Sequence, residues 1–313
     1  MEKYCFGIDV GGTTVKCGLF ENDGTVVDKW EIRTHVENQG ERILPDIADT
    51  VLAKIQEKGL DKSQVAGIGI GLPGPIEENG EIACAVNLHW GRKNIEKELG
   101  DMTGLRVKAG NDANVAALGE MWKGGGKGSK NLILATLGTG VGGGIIVNEK
   151  IVTGAHGAGG EIGHASVNPD ETVACNCGNK GCLEQYASAT GIARLARKAM
   201  EGTKKPSSLR YCPNVSAKDV FDAYKEGDEL AAEIVEEFSE YMGRALAVFA
   251  CVSDPDVIVL GGGVSRAGQP LIDCVEKHYK KYAFTACKET PIRLATLGND
   301  AGVYGAAKLV LSE

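Results

Sequence analysis

Residues 6–20 read FGIDVGGTTVKCGLF, two apolar runs separated by a short turn of glycine and threonine. The pattern predicts strands over 4–10 and 15–20 joined across Gly11, Gly12 and Thr13, and Asn22-Asp23-Gly24 then turns the chain into a third strand over 25–32. Glycine and threonine between strands leave successive backbone N–H groups pointing outward, and such a nest takes up phosphate oxygens without any side-chain charge. Asp9 stands beside this turn, where a carboxylate holds a hydrated Mg²⁺, and Lys16 follows it.

Outward from this stretch, strand-like and helix-like segments alternate. Residues 41–58 carry apolar positions at helical spacing, 65–70 form a short buried strand ending in Leu72-Pro73-Gly74-Pro75, a helix lies near 94–103, and strand 105–109 leads into Asn111-Asp112-Ala113-Asn114 and a helix to Trp122. The alternation is that of an α/β fold. After a hinge-like KGGGKGSK at 123–130 the opening pattern returns: a strand over 132–137, a glycine-rich turn over 138–144, and a strand over 145–147. Gly138 and Thr139 repeat Gly11 and Gly12 127 residues later, which predicts two domains of similar topology whose turns, the second built on Gly138, Thr139 and Gly140, face one cleft. Helices are expected at 184–200, 216–227 and 228–252, a strand at 257–260 running into Gly261-Gly262-Gly263, and a terminal helix opening at 297–302. The domains are expected to span 1–115 plus 300–313, and 116–299.

The 313 residues are 43% hydrophobic and 24% charged, enough for full cores, and the 44 glycines cluster in short turns after apolar runs. A net charge of -8 opposes nucleic acid and anionic membranes as partners. Apolar runs fall short of a membrane span, and the opening MEKYCFGIDV shows no secretory pattern, so a cytoplasmic location is expected. Of ten cysteines, Cys5, Cys17, Cys84, Cys212, Cys251, Cys274 and Cys287 are scattered and read as small buried hydrophobes.

The other three belong to EIGHASVNPDETVACNCGNKGCLEQ (161–185), where His164, Cys175, Cys177 and Cys182 supply four zinc-competent ligands within 19 residues. With four positions filled by protein, the ion is structural. Glu161 and Glu184 interleave with the ligands, and carboxylates there suit the hydroxyls of a polyhydroxylated substrate. Asn111-Asp112 sits where a strand ends, the place where α/β sheets collect ligands, although Asp112 equally fits a helix cap. Asn87 and His89 occupy a polar loop open to ligand or solvent, and His35, His156 and His278 read as surface residues. Two phosphate turns with Asp9 beside the first favour a nucleoside triphosphate, though neither a Walker loop nor a dinucleotide fingerprint is present.

Taken together, the motifs FGIDVGGTTVKCGL, GIGLPGP, NLHW, GNDANVAALGE, LGTGVGGGII, GEIGH, CNCGNKGCLEQYASATG, VIVLGGGVS and GNDAGVYGAA resemble the ROK family of repressors, open reading frames and kinases, most nearly its bacterial glucokinases. The resemblance implies a two-domain, actin-like (ribonuclease-H-like) α/β fold, each domain a mixed sheet with flanking helices, closing over sugar and ATP. It implies phosphorylation of glucose at the 6-hydroxyl with ATP, Mg²⁺ and a structural Zn²⁺, in a homodimer or homotetramer. By position, Asp112 matches the catalytic base; Asn111, Glu161, His164 and Glu184 match sugar contacts, with Gly74 and Asn87 in the same set. Asp9, Gly11, Gly12, Thr13, Lys16, Gly138, Thr139 and Gly140 match the phosphate loops, and Gly262 and Gly263 the adenosine segment. The cysteine spacing resembles that of glucokinases and amino-sugar kinases, which leaves N-acetylglucosamine, N-acetylmannosamine and other hexoses as alternative acceptors and polyphosphate as an alternative donor. A sugar-responsive repressor of the same family is disfavoured, because the first strand begins by Tyr4 and the charge is wrong for DNA. A zinc-finger binding module fits an acidic α/β chain poorly.

Overall fold

A computed structural model describes residues 2–312, which divide into two compact units. Among these, the first comprises residues 2–128, 151–160 and 297–312, and the second 129–150 and 161–296.

In the first unit β1 (Tyr4–Val10), β2 (Thr14–Glu21) and β3 (Val26–Arg33) form the meander, and β4 (Val65–Leu72) joins the sheet parallel to β1. A two-residue ribbon, β5 (Glu81–Ile82) with β6 (Lys93–Asn94), lies outside the sheet, and β7 (Val107–Asn111) completes the order β3-β2-β1-β4-β7. Side chains of β1 alternate between two faces. Phe6, Ile8 and Val10 meet Ile43, Ile47 and Val51 of the helix Ile43–Glu57, whereas Cys5 meets Val303 and Ala307 of the terminal helix Ala301–Leu311. That terminal helix lies against the strands because they carry glycine there: a methyl group on Gly69 would stand 1.7 Å from the carbonyl oxygen of Ala306.

The second unit repeats the plan. Strands β8 (Leu132–Leu137) and β9 (Val141–Val147) pair antiparallel, β10 (Lys150–Ile151) forms the edge, and β11 (Val257–Gly261) and β12 (Ile292–Leu294) add in parallel, giving β10-β9-β8-β11-β12. The helices Ala189–Gly202, Ala217–Lys225, Glu229–Ser253 and Gln269–Tyr282 pack with this sheet around Ile133, Leu137, Phe238, Leu246 and Tyr279. Both sheets are thus a meander followed by two parallel strands, as the internal repeat implies. Among the described residues no helix is long and apolar enough to cross a membrane.

Five local expectations are corrected. The opening segment of the first unit runs to Gly128 and not to residue 115, because the helix Asp112–Lys123 packs along the terminal helix, and residues 151–160 also belong to this unit. Gly142, Gly143 and Gly144 lie within β9, paired with Thr136, Ala135 and Leu134, so the turn is only Gly138–Gly140. The helix expected over 184–200 is broken at Ser188, whose extended backbone separates one turn (Glu184–Ala187) from Ala189–Gly202. His278 is buried, 4% exposed, with Nε2 3.1 Å from a Glu236 carboxylate oxygen, while Cys84 and Cys251 are exposed.

Candidate functional site

The first unit gathers its candidate residues at the carboxyl ends of its parallel strands. Sheet register places Asp9 opposite Gly71 and Gly71 opposite Gly110, so Gly74, Asn111 and Asp112 all follow from one edge. Asn111 Nδ2 donates to the Gly74 carbonyl at 3.2 Å. Asn111 is also the cap of the helix Asp112–Lys123: its Oδ1 accepts from the N–H groups of Ala113 (3.0 Å) and Asn114 (3.2 Å). Asp112 is the first helical residue, its Oδ1 accepting from Ala113 N–H at 2.7 Å, and the cap that the sequence allowed for Asp112 is held by its neighbour.

The first turn is fixed from below. Gly11 N–H donates to the Thr14 carbonyl, and Thr34 Oγ1 donates to the Gly11 carbonyl at 2.7 Å. Lys16, paired with Asp9 across β1 and β2, donates from Nζ to the Asn299 carbonyl at 3.0 Å. Burial pushes the Asp9 carboxyl up to about 6; Lys16 pulls it back, and the charge of Asp112 raises it further. A half-buried carboxylate with a second one nearby suits a hard cation with oxygen ligands. Asn87 is exposed on the turn Val86–Leu88.

In the second unit His164, Cys175, Cys177 and Cys182 converge, with one ligand atom from each lying within 4.8 Å of the others. Cys177 Sγ is 3.6 Å from Cys182 Sγ, and Cys175 Sγ is 3.9 Å from His164 Nδ1. Ligands on a tetrahedral zinc with bonds of about 2.0 to 2.3 Å stand about 3.5 to 3.8 Å apart, so this donor set fits a zinc ion with little movement. Nδ1 of His164 faces the cluster, and Nε2 lies 4.0 Å from a Glu161 oxygen, the placement by which an outer carboxylate orients a ligating imidazole. Burial pushes the Cys182 thiol up to about 12 and raises that of Cys175, whereas the Asn179 backbone lowers that of Cys177.

The turn Gly138–Gly140 adjoins this cluster through Glu184, whose Oε2 accepts from Val141 N–H at 3.0 Å while Oε1 lies 3.7 Å from Cys175 Sγ. Gly262, at the end of β11, packs against the backbone of Leu137, and Gly263 opens the turn Gly263–Ala267. Beside it lies a cavity of ≈ 350 Å³ whose apolar lining includes Ala189, Phe221, Gly263, Val264 and Ala267, with Lys218 and Arg266 at its margin. Its volume and apolar walls suit a flat heterocycle. The lining from Phe221 and Val264 is absent from the sequence reading, which found only the glycines; an apolar position in a helix gives no sign of facing a cavity.

Residues 5–313 match the model of the ROK family. The chain belongs to the ROK family. Among ROK proteins it is 45% identical to a glucokinase of Halalkalibacterium halodurans over 99% of this chain and 95% of that one. It is 38% identical to a glucokinase of Thermotoga maritima over 97% and 96%. A crystal structure of a ROK glucokinase from Streptomyces griseus, in complex with glucose and AMPPNP, is 30% identical and superposes with a TM-score of 0.74, covering 99% of this chain and 100% of that one.

Proposed function

We propose that this chain phosphorylates glucose at the 6-hydroxyl with ATP as donor. One observation carries the reading: Asn111 caps the helix Asp112–Lys123, so the Asp112 carboxylate is not needed as the cap and stands at the end of β7, where a substrate hydroxyl can meet it. Support comes from the full-length similarity to glucokinases and from the glucose and AMPPNP bound by the Streptomyces griseus relative.

In this reading Asp112 orients the 6-hydroxyl and accepts its proton late in a loose phosphoryl-transfer transition state. Asn111, with Gly74 behind it, and Asn87 bind other sugar hydroxyls, as do Glu161, His164 and Glu184; a carboxylate has about four acceptor sites, so Glu184 retains capacity beyond its bond to Val141. The turns Gly11–Thr13 and Gly138–Gly140 hold donor phosphates, with Lys16 at the first, and the base enters the cavity beside Gly262 and Gly263. A Mg²⁺ held through Asp9 supplies charge neutralisation on the donor phosphates. Zinc on His164, Cys175, Cys177 and Cys182 supplies structural support with no open position. The enzyme is read as cytoplasmic, and the exposed Val248 and Val252, 58% and 82% exposed on one helix, support assembly of the chain into a dimer or tetramer.

A panel of hexoses and donors tests this reading. Glucose with ATP is expected to give the highest kcat/KM, and preferential use of another sugar or of polyphosphate would replace it.

A further inference from the structure

The second phosphate turn does not stand by itself. Each of its three residues, or the residue that follows, is tied to the short segment 184–190, which begins two residues after the metal-ligand candidate Cys182. Ala189 N–H donates to the Gly138 carbonyl at 2.8 Å, Thr190 Oγ1 donates to the Thr139 carbonyl at 2.7 Å, and Glu184 accepts from Val141 N–H. The fit at Gly140 is tight, since a methyl group there would stand 2.2 Å from Glu184 Oε2. The segment is braced internally: Ser188 Oγ donates to the Glu184 carbonyl at 2.7 Å and lies 2.9 Å from Thr190 Oγ1. At its other end it is anchored to the cysteine cluster. Cys182 N–H donates to Gln185 Oε1 at 3.1 Å, and Cys175 Sγ lies 3.7 Å from the second oxygen of Glu184.

We propose that the metal cluster sets the protein's affinity for the donor's phosphates, acting through residues 184–190, with Glu184 and Thr190 as positioning residues for the turn Gly138–Gly140. This rests on the reading that the turn binds nucleotide phosphates. A nest binds an anion only while its N–H groups converge, so a support that fixes three consecutive carbonyl and amide groups fixes the site. Loss of the ion frees the cysteines, and with them the anchor of the segment. The consequence is graded: phosphate binding suffers most, and adenosine binding, which draws mainly on Phe221, Val264 and Ala267 and takes only Ala189 from the segment, suffers least.

The test uses the full chain and titration calorimetry with two probes, Mg·ADP and adenosine, without sugar. Removing the metal with a chelator is expected to weaken Mg·ADP by about tenfold or more and adenosine by less than about twofold. Thr190→Val removes only the hydroxyl; it is expected to keep its metal and fold and to weaken Mg·ADP by about three- to tenfold, the value of one hydrogen bond, with adenosine unchanged. Should the stripped protein unfold, Thr190→Val still decides. Wild-type affinity for Mg·ADP in Thr190→Val would overturn the proposal, as would equal losses for both probes. A metal-loaded wild type that binds neither probe would instead overturn the nucleotide reading beneath it.

Discussion

A methyl group on Gly302 would stand 2.6 Å from the carboxyl carbon of Asp9. The bare first turn of the terminal helix therefore makes the space in which the Asp9 carboxylate sits, and the helix covers part of that carboxylate. Gly302→Ala must move one or the other. Overpacking of this kind costs roughly 1 to 3 kcal/mol, so the variant is expected to lose thermal stability and to need more Mg²⁺ for half-maximal activity, both measurable on the purified protein.

The same burial predicts a stability dependence on pH. The folded state holds Asp9 near 6, above its ordinary value, so the fold favours the protonated form. The contribution is fully present below the unfolded value and is lost as pH rises through 6, reaching a penalty on the order of 3 kcal/mol above it. Asp9→Asn removes the penalty. Without divalent cations, its gain in urea midpoint over wild type is expected to grow between pH 5 and pH 7.5, while its activity falls; a constant difference across that range would show that Asp9 is not strained by burial.

One zinc per chain is expected, lost in Cys177→Ala together with several degrees of melting temperature, because metal affinity and folding are linked through the same ligands. Elemental analysis checks the ion and calorimetry the stability. Full activity in freshly purified protein devoid of zinc would remove the metal site from the account.

Glucose is expected to exceed N-acetylglucosamine and N-acetylmannosamine in kcat/KM, and 2-deoxyglucose to be a poorer substrate than glucose, since a site built to bond a hydroxyl leaves its own polar groups unpaired when the hydroxyl is missing. Competition assays with equal concentrations of the sugars measure the ratios directly.

Much of this fold is legible in sequence because its deciding signals are local. The Gly-Thr turns between apolar runs mark β1 with β2 and β8 with β9, and four candidate metal ligands fall within one short segment. What escapes is set by tertiary contact. Gly142–Gly144 read as turn, yet they pair with Leu134–Thr136, because a glycine run carries no side chains to show alternation. His278 reads as exposed, yet its helix Gln269–Tyr282 turns it toward Gly243 of the neighbouring helix, where the missing side chain admits it. Leu271, Ile272, Val275 and Tyr279 at helical spacing were the available signal for that helix. At the site, Asn111 and Asp112 are both possible caps in sequence; only the position of the Asn111 oxygen shows which of them caps the helix.

The central claim is that Asp112 accepts the proton of the sugar hydroxyl, and the kinetics of Asp112→Asn test it most directly. Asparagine keeps the shape and the bond to Ala113 but cannot take the proton, so kcat is expected to fall by about 10² to 10⁴ while glucose affinity and melting temperature change little. Near-normal kcat with a marked loss of melting temperature would make Asp112 a structural residue of the helix start and would contradict the account.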